Sequence, residues 1–473
     1  MIPERLQPIL DDVRPLAERF AAAGHRVYLV GGIVRDLVLG RLTEGADLDL
    51  TTDARPDRTL ALLDGWADAT WTQGQSFGTI GARKGGVTFE VTTHRAEAYR
   101  EDSRKPHVVY ADDVTDDLSR RDFTVNAMAL RLPDVEMIDP FGGVADLAAS
   151  RLRTPLAPEV SLSDDPLRMM RAARFIAGYG LAPDPDLVAA VRKLRHRLEI
   201  VSAERVRDEL SKLLVVDDPS AGLWFLVDTE LADEFLPELR GLRLEQDPIH
   251  RHKDVLSHTI AVVAKTSPRL VLRLAALLHD IGKPKTRSIG PKGVSFHHHE
   301  VVGARMARDR MRALRFSNEM VDDVSQLVFL HLRFHGYRED VWTDAAVRRY
   351  ARDAGPLLDD LNELTRCDCT TRNERKARML AKRMDDLEAR IAELREREEL
   401  ERIRPDIDGN RVMELLGVKP GPVVGAALSM LLEARLDEGP LGQAEAERRL
   451  LAWWAERKSQ AGAADAATRG AGG

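Results

Sequence analysis

The sequence predicts an α+β fold in which a small α/β head precedes a long, nearly all-helical remainder. Two observations support this prediction. Short apolar runs alternate with helix-like segments up to residue 150, whereas few strand-like alternations remain after the Asp-Pro-Phe-Gly-Gly stretch at 139–143. Aromatic residues make up only 5% of the chain, which suits a mostly helical protein better than a β-sandwich. A chain of 473 residues is too long to fold around a single hydrophobic core, so we expect several domains.

Changes in composition and the positions of proline and glycine residues indicate the limits of these domains. We expect the head at 1–150, a helical neck at 151–245, a histidine-rich helical domain at 246–372, a helical tail at 373–458 and a disordered end at 459–473. The strands expected in the head are Val27–Val30, Asp47–Thr51, Thr79–Arg83, Val87–Thr92 and Val135–Ile138.

One segment of the tail has the apolar spacing of a coiled-coil seam. Its spacing is 4-3-4-3, at Leu380, Met384, Leu387, Ile391 and Leu394. We interpret this seam as the contact of a helix that packs on its own chain. A contact between the two chains of a homodimer is the alternative.

Charge and cysteine content exclude some classes of protein. The formal net charge of −7 argues against a broad, sequence-independent grip on nucleic acid, although clustered arginines allow a local basic stripe. Cys367 and Cys369 are the two cysteines, so no disulfide framework supports the fold. The sequence shows neither an apolar run long enough to span a bilayer nor a signal peptide, so we expect a cytoplasmic protein.

The stretch from Leu29 to Asp49 is the most informative part of the chain. A strand-like apolar run ends at Gly31 and Gly32, and a short helical pattern then runs to Gly40. A glycine turn at a helix start brings backbone N–H groups close to a phosphate, whose charge the helix dipole favours. Asp47 and Asp49 lie two residues apart on an expected strand, so their carboxylates share one face. Such a pair can hold divalent ions that activate an attacking oxygen and neutralise a triphosphate.

This stretch resembles a known motif. Gly-Gly-x-Val-Arg-Asp, beginning at Gly31, followed by Gly-x-Asp-x-Asp, resembles the first motif of the class II tRNA nucleotidyltransferases and the related bacterial poly(A) polymerases. Those enzymes belong to the DNA polymerase β-like nucleotidyltransferase superfamily. The resemblance implies a polymerase β-like head in which Asp47 and Asp49 are catalytic and bind Mg²⁺. It also implies that Gly31, Gly32 and Arg35 contact the nucleotide.

A second head motif lies at 120–128. Adjacent guanidinium groups near a helix start suit binding of a triphosphate, and the segment matches the family's Arg-Arg-Asp-x-Thr-x-Asn-Ala motif. By this resemblance Arg121 contacts the nucleotide, while Asp122 and Asn126 help to select ribose over deoxyribose. Glu90 lies on a strand that we expect beside the strand of Asp49. It is either a third carboxylate that helps to deprotonate the attacking hydroxyl or an ordinary surface residue.

Four charged residues of the neck recur at every third position: Asp165, Arg168, Arg171 and Arg174. An aspartate accepts from an exocyclic amino group while an arginine donates to the adjacent ring nitrogen, a pattern that cytosine and adenine match and that guanine and uracil reverse. Each unpaired buried group would cost roughly 1–3 kcal/mol.

The segment resembles the family's Glu-Asp-x-x-Arg motif, with Asp164 in place of the glutamate. We interpret Asp165 and Arg168 as a protein template for C and A, and Arg171 and Arg174 as phosphate contacts or supports of the template. The alternative is a solvated stripe of i,i+3 ion pairs.

The histidine-rich domain contains a candidate metal site. His279 and Asp280 end an apolar helix, and other potential ligands are His258, His299, His331, His335 and Asp368. Imidazole and carboxylate mixtures suit borderline to hard divalent ions. The pattern resembles the HD phosphohydrolase domain, in which His258, His279, Asp280 and Asp368 would be the minimal metal ligands. The resemblance implies a divalent metal, whose identity the sequence leaves open, and phosphatase or cyclic phosphodiesterase activity on damaged RNA ends. A degenerate scaffold that retains these residues is the alternative.

Together these resemblances imply an enzyme that adds CMP and AMP, from CTP and ATP, to the 3′ end of tRNA to form CCA. The nearest rival is a poly(A) polymerase, which shares both head motifs, although the Ala/Gly-rich C-terminus lacks the basic extension that would favour it. Addition of A alone or of CC alone is a further variant. An HD phosphohydrolase whose head only binds nucleotide is the rival from another class, and the intact Asp47 and Asp49 pair speaks against it.

Overall fold

The computed structural model describes residues 7–41, 47–98, 107–244, 254–290, 293–336, 342–369, 374–398 and 403–470. The chain divides into two compact units, Met1–Arg240 with Ala313–Arg315, and Gly241–Arg312 with Phe316–Gly473. Among the described residues, no helix is both long enough and apolar enough to cross a membrane.

The first unit contains a mixed sheet. The strands described at its N-terminal end are β1 (Val27–Val30), β2 (Leu48–Thr52), β3 (Ala69–Trp71), β4 (Thr79–Lys84), β5 (Val87–Thr93), β6 (Arg95–Ala98), β7 (His107–Tyr110), β8 (Ala129–Leu132) and β9 (Glu136–Ile138). Seven of them form one sheet in the order β3-β4-β5-β2-β1-β8-β9, while β6 and β7 pair separately. Within the larger sheet β2 and β5 are parallel, and the other paired neighbours are antiparallel.

The two faces of this sheet differ in polarity because side chains alternate along each strand. Leu50 and Phe89 are buried on one face, whereas Asp49 and Glu90 are exposed on the other. The helices of this region are α1 (Gln7–Ala22), α2 (Gly32–Leu39), α3 (Pro56–Leu63), α4 (Val114–Ser119) and α5 (Gly143–Ala148). A slip of one residue in register would bury the carboxylates, so the apolar pattern fixes which face carries them.

Helices dominate the rest of the first unit. They are α6 (Pro158–Asp164), α7 (Leu167–Tyr179), α8 (Pro185–Leu194), α9 (Ala203–Leu214), α10 (Ser220–Asp228) and α11 (Glu238–Gly241), with a short parallel pair of β10 (Arg151–Leu152) and β11 (Ala182–Pro183). Helix α7 packs against α9 and α10. Gly222 permits the close approach of α10, because a Cβ there would lie 2.4 Å from the carbonyl oxygen of Ala173.

Where the structure describes the second unit, it is helical apart from one hairpin. Its elements are α12 (Val255–Lys265), α13 (Leu270–Leu278), α14 (Lys283–Thr286), β12 (Ser288–Gly290), β13 (Gly293–Ser295), α15 (His299–Ala313), α16 (Asn318–Leu330), α17 (Asp344–Ala354), α18 (Leu358–Asp368), α19 (Glu374–Arg397), α20 (Gly409–Leu416), α21 (Pro422–Glu438) and α22 (Gln443–Gly470). Helices α12, α13, α16 and α18 pack on one another.

The apolar seam expected in the tail lies on α19. Met384, Leu387, Ile391 and Leu394 are buried, and α19 packs against α17 and α18 of the same chain. The interpretation that this helix packs on its own chain is therefore confirmed.

The C-terminus differs from expectation. Helix α22 continues to Gly470 and so includes most of 459–473, where we expected disorder. The physical reason is that this segment is rich in alanine, which has the highest intrinsic helix propensity.

Candidate functional sites

A row of carboxylates lies on the exposed face of the sheet. Asp49 of β2 and Glu90 of β5 are partners in the strand register, so their side chains lie next to each other, as expected for the strand of Glu90. Asp47 is exposed and directly precedes β2. Partial burial raises the pKa of Asp49; Arg121 lowers it, while Glu90 and Asp47 raise it further. This concentration of negative charge suits a divalent cation.

The glycine turn lies beside one member of this row, Asp49. Gly31 directly follows β1 and precedes helix α2, and its φ of +78° is a left-handed conformation that favours glycine. A Cβ on Gly31 would lie 3.1 Å from Nη1 of Arg121 and 3.5 Å from Oδ2 of Asp49. A Cβ at this position would therefore press on Arg121 and come into contact with Asp49. Gly32 follows as the first residue of α2, so its N–H lies at the helix start.

Arg121 is held in place by Asp117, a residue that the motifs did not single out. Asp117 is fully buried, and its carboxylate lies 2.7 Å from Nη2 of Arg120 and 3.3 Å from Nη2 of Arg121. Burial alone would raise the pKa of Asp117, but Arg120 and Arg121 lower it to about 2. The signal in the sequence is modest: an acid on α4 precedes the arginines by three and four residues.

Arg35 points into the protein. It is buried, its Nη1 donates to Oδ1 of Asn126 at 2.7 Å, and its Nε donates to Asp36 at 2.9 Å. Its guanidinium carbon lies 4.1 Å from the ring centroid of Tyr179, within the range of a cation–π contact. Asn126 in turn donates to Asp122 at 3.0 Å. The guanidinium of Arg35 is therefore already engaged in contacts with other side chains of the protein.

The acids and arginines around α7 continue this network. Oδ2 of Asp122 accepts from Nε and Nη2 of Arg171 at 2.8 and 2.5 Å. Burial raises the pKa of Asp122, but Arg171 and the hydrogen bond from Asn126 lower it below its ordinary value. Glu209 of α9 is buried and accepts from Nε of Arg174 at 2.8 Å, and it lies 3.6 Å from Arg171. Glu209 therefore neutralises part of the positive charge of Arg171 and Arg174.

The two residues interpreted as a template lie at the start of α7. Asp165 is partly exposed, and its carboxylate accepts from Arg205 at 3.2 Å. Arg168 is buried and donates to the carbonyl and hydroxyl oxygens of Ser161 at 3.1 and 2.8 Å, and to the carbonyl oxygen of Arg120. The pair thus borders the second head motif, but the donors of Arg168 are engaged with the protein itself.

The four ligands expected in the histidine-rich domain form one cluster in the second unit. Nε2 of His258 lies 2.8 Å from Oδ1 of Asp368, and Nε2 of His279 lies 3.2 Å from Asp280 and 3.5 Å from Asp368. Burial lowers the pKa of His279, but the two carboxylates raise it to about 10. The negative field that holds a proton there would also hold a divalent cation.

Two further histidines extend this cluster. Nε2 of His299 lies 3.4 Å from Oδ1 of Asp280 and 3.2 Å from Nε2 of His331. One group of potential ligands is therefore His258, His279 and Asp280, and a second is Asp280, His299 and His331. His299 and His331 are among the potential ligands expected from the sequence, outside the minimal set of four. Asp280 belongs to both groups.

Backbone carbonyls orient three of these imidazoles. Nδ1 of His279, His299 and His331 lies 2.7, 2.8 and 2.6 Å from the carbonyl oxygen of the residue three positions earlier. A hydrogen bond at Nδ1 leaves Nε2 as the atom that faces a metal. The cluster therefore has the donor types and the outer hydrogen bonds of a metal site.

Three family models match the chain. The Poly A polymerase head domain matches residues 27–153, the probable RNA and SrmB-binding site of polymerase A matches 180–242, and the HD domain matches 255–397. The residues that match the first two models include the sheet and most of the helices of the first unit. The third covers the histidine and aspartate cluster.

Curated proteins and solved structures resemble the chain over most of its length. The A-adding tRNA nucleotidyltransferase of Deinococcus radiodurans is 34% identical over 450 residues, which is 90% of this chain and 95% of that enzyme. The CCA-adding enzyme of Anoxybacillus flavithermus is 29% identical over 91% of this chain and 93% of its own. The crystal structure of the Bacillus stearothermophilus CCA-adding enzyme in complex with CTP has a TM-score of 0.68 at 24% identity, and covers 97% of this chain and 100% of its own. That structure shows the shared fold.

The low pKa of Asp117 predicts a pH-dependent contribution to stability. Its pKa is about 2 in the folded chain and near 3.9 in an unfolded one, so ionised Asp117 should contribute about 2 kcal/mol at neutral pH. This contribution is present above pH 4 and is lost as the pH falls towards 2. The free energy of unfolding of Asp117→Asn should therefore lie below that of the wild type at pH 7 and approach it at low pH.

Denaturant titrations at several pH values measure this difference. Asp116→Asn, at an exposed neighbour on the same helix, is the matched control and should show a small difference at every pH. A pH-independent deficit in Asp117→Asn would contradict the assignment of the stabilisation to its charge.

Proposed function

The chain belongs to the class II tRNA nucleotidyltransferase family, and from this premise we propose that it builds the 3′-terminal CCA of tRNA from CTP and ATP. The observation that carries the proposal is the pairing of Asp49 with Glu90 on an open sheet face, next to Gly31 and Arg121. Carboxylates, a glycine turn at a helix start and a guanidinium are the groups that nucleotidyl transfer requires.

In this reaction the 3′-hydroxyl oxygen of the RNA attacks the α-phosphorus of the nucleotide. A new P–O bond forms, the bond between the α-phosphorus and the bridging oxygen breaks, and pyrophosphate leaves. Asp47 and Asp49 would hold Mg²⁺, which supplies activation of the attacking oxygen and neutralisation of the triphosphate when bound. Glu90, beside Asp49, would help to take the hydroxyl proton.

The turn and the second motif would bind the nucleotide. The backbone N–H groups at Gly31 and Gly32 and the guanidinium of Arg121 would contact its phosphates. Asp122 and Asn126 would help to select ribose. We assign Arg35 a positioning role, since its guanidinium already contacts Asn126, Asp36 and Tyr179.

Helix α7 would read the base. Asp165 would accept from the exocyclic amino group, and Arg168 would donate to the ring nitrogen of cytosine or adenine. Because Arg168 now donates to Ser161, reading a base requires it to exchange that hydrogen bond for one to the ring. Arg171 and Arg174, held by Asp122 and Glu209, would keep α7 in place.

The second unit supports a separate activity, hydrolysis of phosphate esters at a divalent metal. His258, His279, Asp280 and Asp368 would bind the metal, with His299 and His331 as additional ligands that share Asp280. A metal at such a site supplies an activated water and a Lewis acid for the phosphoryl oxygen. The substrates would be phosphorylated or cyclic-phosphate RNA ends.

Removal of the sheet carboxylates should abolish nucleotide addition. Asp49→Asn and Asp47→Asn should each lose more than about 99% of the activity, because metal-assisted phosphoryl transfer needs both charges. The assay uses tRNA lacking its CCA with each labelled NTP in turn, and tRNA binding should persist. Asp64→Asn, an exposed acid of the same unit, is the control.

The same assay distinguishes the variants of the proposal. Incorporation of CTP followed by ATP fits full CCA addition, and incorporation of ATP alone on tRNA that already ends in CC would restrict the enzyme to A-addition. Substantial activity in both aspartate variants would overturn the catalytic assignment.

Arg168→Ala should relax base choice. Loss of one base-edge contact is worth roughly 1–3 kcal/mol, so incorporation of UTP or GTP relative to CTP should rise about 5- to 150-fold. The ratio is independent of the amount of folded enzyme, which matters because Arg168 is buried. Arg192→Ala, an exposed arginine on α8, should leave the ratio unchanged. An unchanged ratio in Arg168→Ala would favour a purely structural role.

His279→Ala should separate the two activities. Metal-dependent release of phosphate from RNA ends should be lost, whereas CCA addition should continue, because the cluster lies outside the first unit. Both activities are measured on one preparation, with bound divalent metal determined by mass spectrometry. Parallel loss of both activities would indicate that the cluster only supports the fold.

A further inference from the structure

A row of four residues crosses the open face of the sheet. Strand register places Asp49 beside Glu90, Glu90 beside Gly81, and Gly81 beside Trp71. Residues directly opposite one another on neighbouring strands project to the same face. The row therefore runs from the proposed metal ligands across β5 and β4 to an indole on β3.

The indole of Trp71 lies over Gly81. A Cβ on Gly81 would be 2.0 Å from Cε2 and Nε1 of Trp71 and 2.6 Å from Cζ2. Any side chain at 81 would therefore displace the ring. Trp71 is only partly buried, while Ile80 and Ala82 fill the opposite, helix-covered face. The indole thus lies on the polar face of the sheet, outside the hydrophobic core.

The position of the ring gives its distance from the carboxylates. Neighbouring strands are about 4.8 Å apart, so a ring above β4 lies about 5 Å from the strand of Glu90 and about 10 Å from that of Asp49. These distances fall within the span of a single nucleotide. A nucleotide whose 3′-hydroxyl lies at the carboxylates can place its base on the indole.

A positive charge lies next to the indole. Arg83 follows Gly81 by two residues on β4, so it shares the face, and it is exposed. Its register partner on β3 is Ala69, two residues before Trp71. An aromatic ring beside a guanidinium matches a base and its backbone phosphate.

We propose that Trp71 is the stacking platform for the 3′-terminal base of the RNA that accepts the new nucleotide, with Arg83 contacting the RNA backbone. This proposal rests on the proposed function of the sheet carboxylates. Sheet order separates the two substrates: Gly31 and Arg121 border Asp49 from the β1 side, whereas Trp71 lies beyond β5.

The chemistry of a growing RNA end favours a stacking contact there. During CCA synthesis the terminal base of the acceptor changes after every addition, so base-specific hydrogen bonds would fit only one stage. Stacking on an aromatic ring tolerates every base, because each base has a π-face. The incoming nucleotide, by contrast, must be read specifically and is assigned to Asp165 and Arg168.

A double-mutant cycle between the ring and the terminal base tests the platform. The full chain and its Trp71→Leu and Trp71→Phe variants are compared on tRNA lacking CCA, with either a normal or an abasic 3′-terminal nucleotide. Trp71→Leu should raise KM and Kd for normal tRNA about 5- to 150-fold and leave KM for CTP unchanged. Trp71→Phe keeps an aromatic face and should retain most of the affinity.

The cycle distinguishes stacking from a structural role. If the base stacks on Trp71, the abasic nucleotide weakens binding to the wild type but adds little to the loss in Trp71→Leu. Losses that multiply, or a parallel rise in KM for CTP, would overturn the proposal. Gly81→Ala, which should push the indole aside, is a second variant and should reproduce the Trp71→Leu pattern.

Measurement of Kd without nucleotide keeps this test separate from catalysis. A wild type that binds tRNA but adds no nucleotide would refute the proposed function, while the Kd cycle would still decide whether the terminal base contacts Trp71.

Discussion

Buried pairs of arginine and carboxylate hold the candidate active site of the first unit together. Asp117 fixes Arg121 beside the glycine turn, and Asp122 accepts from Arg171 of α7. Removing one partner of such a pair is destabilising, because it leaves an uncompensated charge on the other. This network links the glycine turn to α7, because Arg121 lies beside Gly31 and the next residue, Asp122, accepts from Arg171. Residues of the motifs therefore serve the fold and the chemistry at once.

Many strands and helices of the head could be predicted from the local sequence pattern. The incorrect predictions there have a common cause. The strand at Val27–Val30 and the helix that ends before Gly40 were predicted nearly to the residue, because an apolar run, a glycine turn and a glycine stop define them locally. The strand at Ala129–Leu132 was missed, although it pairs directly with β1. A segment as short as Ala-Leu-Arg-Leu is compatible with either a strand or a helix, and only the partner strand decides. Val135, expected in a strand, has φ +60° and belongs to a turn.

The residues of the candidate sites likewise fall into two groups, those that the sequence could indicate and those that only the structure shows. The sequence could indicate chemistry wherever a motif is contiguous, and the structure brings Asp49 next to Glu90 and clusters the four expected ligands of the histidine-rich domain. The sequence could not indicate the partners that come from elsewhere in the chain, such as Glu209 for Arg174 or the indole ring that covers Gly81. Pairing of strands and packing of helices determine those contacts, and both depend on register between segments far apart in sequence.

The two charged centres differ in a way that fits the sizes of their proposed substrates. Asp47, Asp49 and Glu90 lie on an open sheet face, and such a face leaves room for a triphosphate on one side and an RNA end on the other. The histidines and Asp280 are buried among helices, where water screens charge poorly and a cation is held firmly. Burial of this centre fits the small size of its proposed substrate group, a terminal or cyclic phosphate. Exposure thus distinguishes the proposed site of RNA extension from the proposed site of phosphate hydrolysis, although both would use carboxylates to bind a metal.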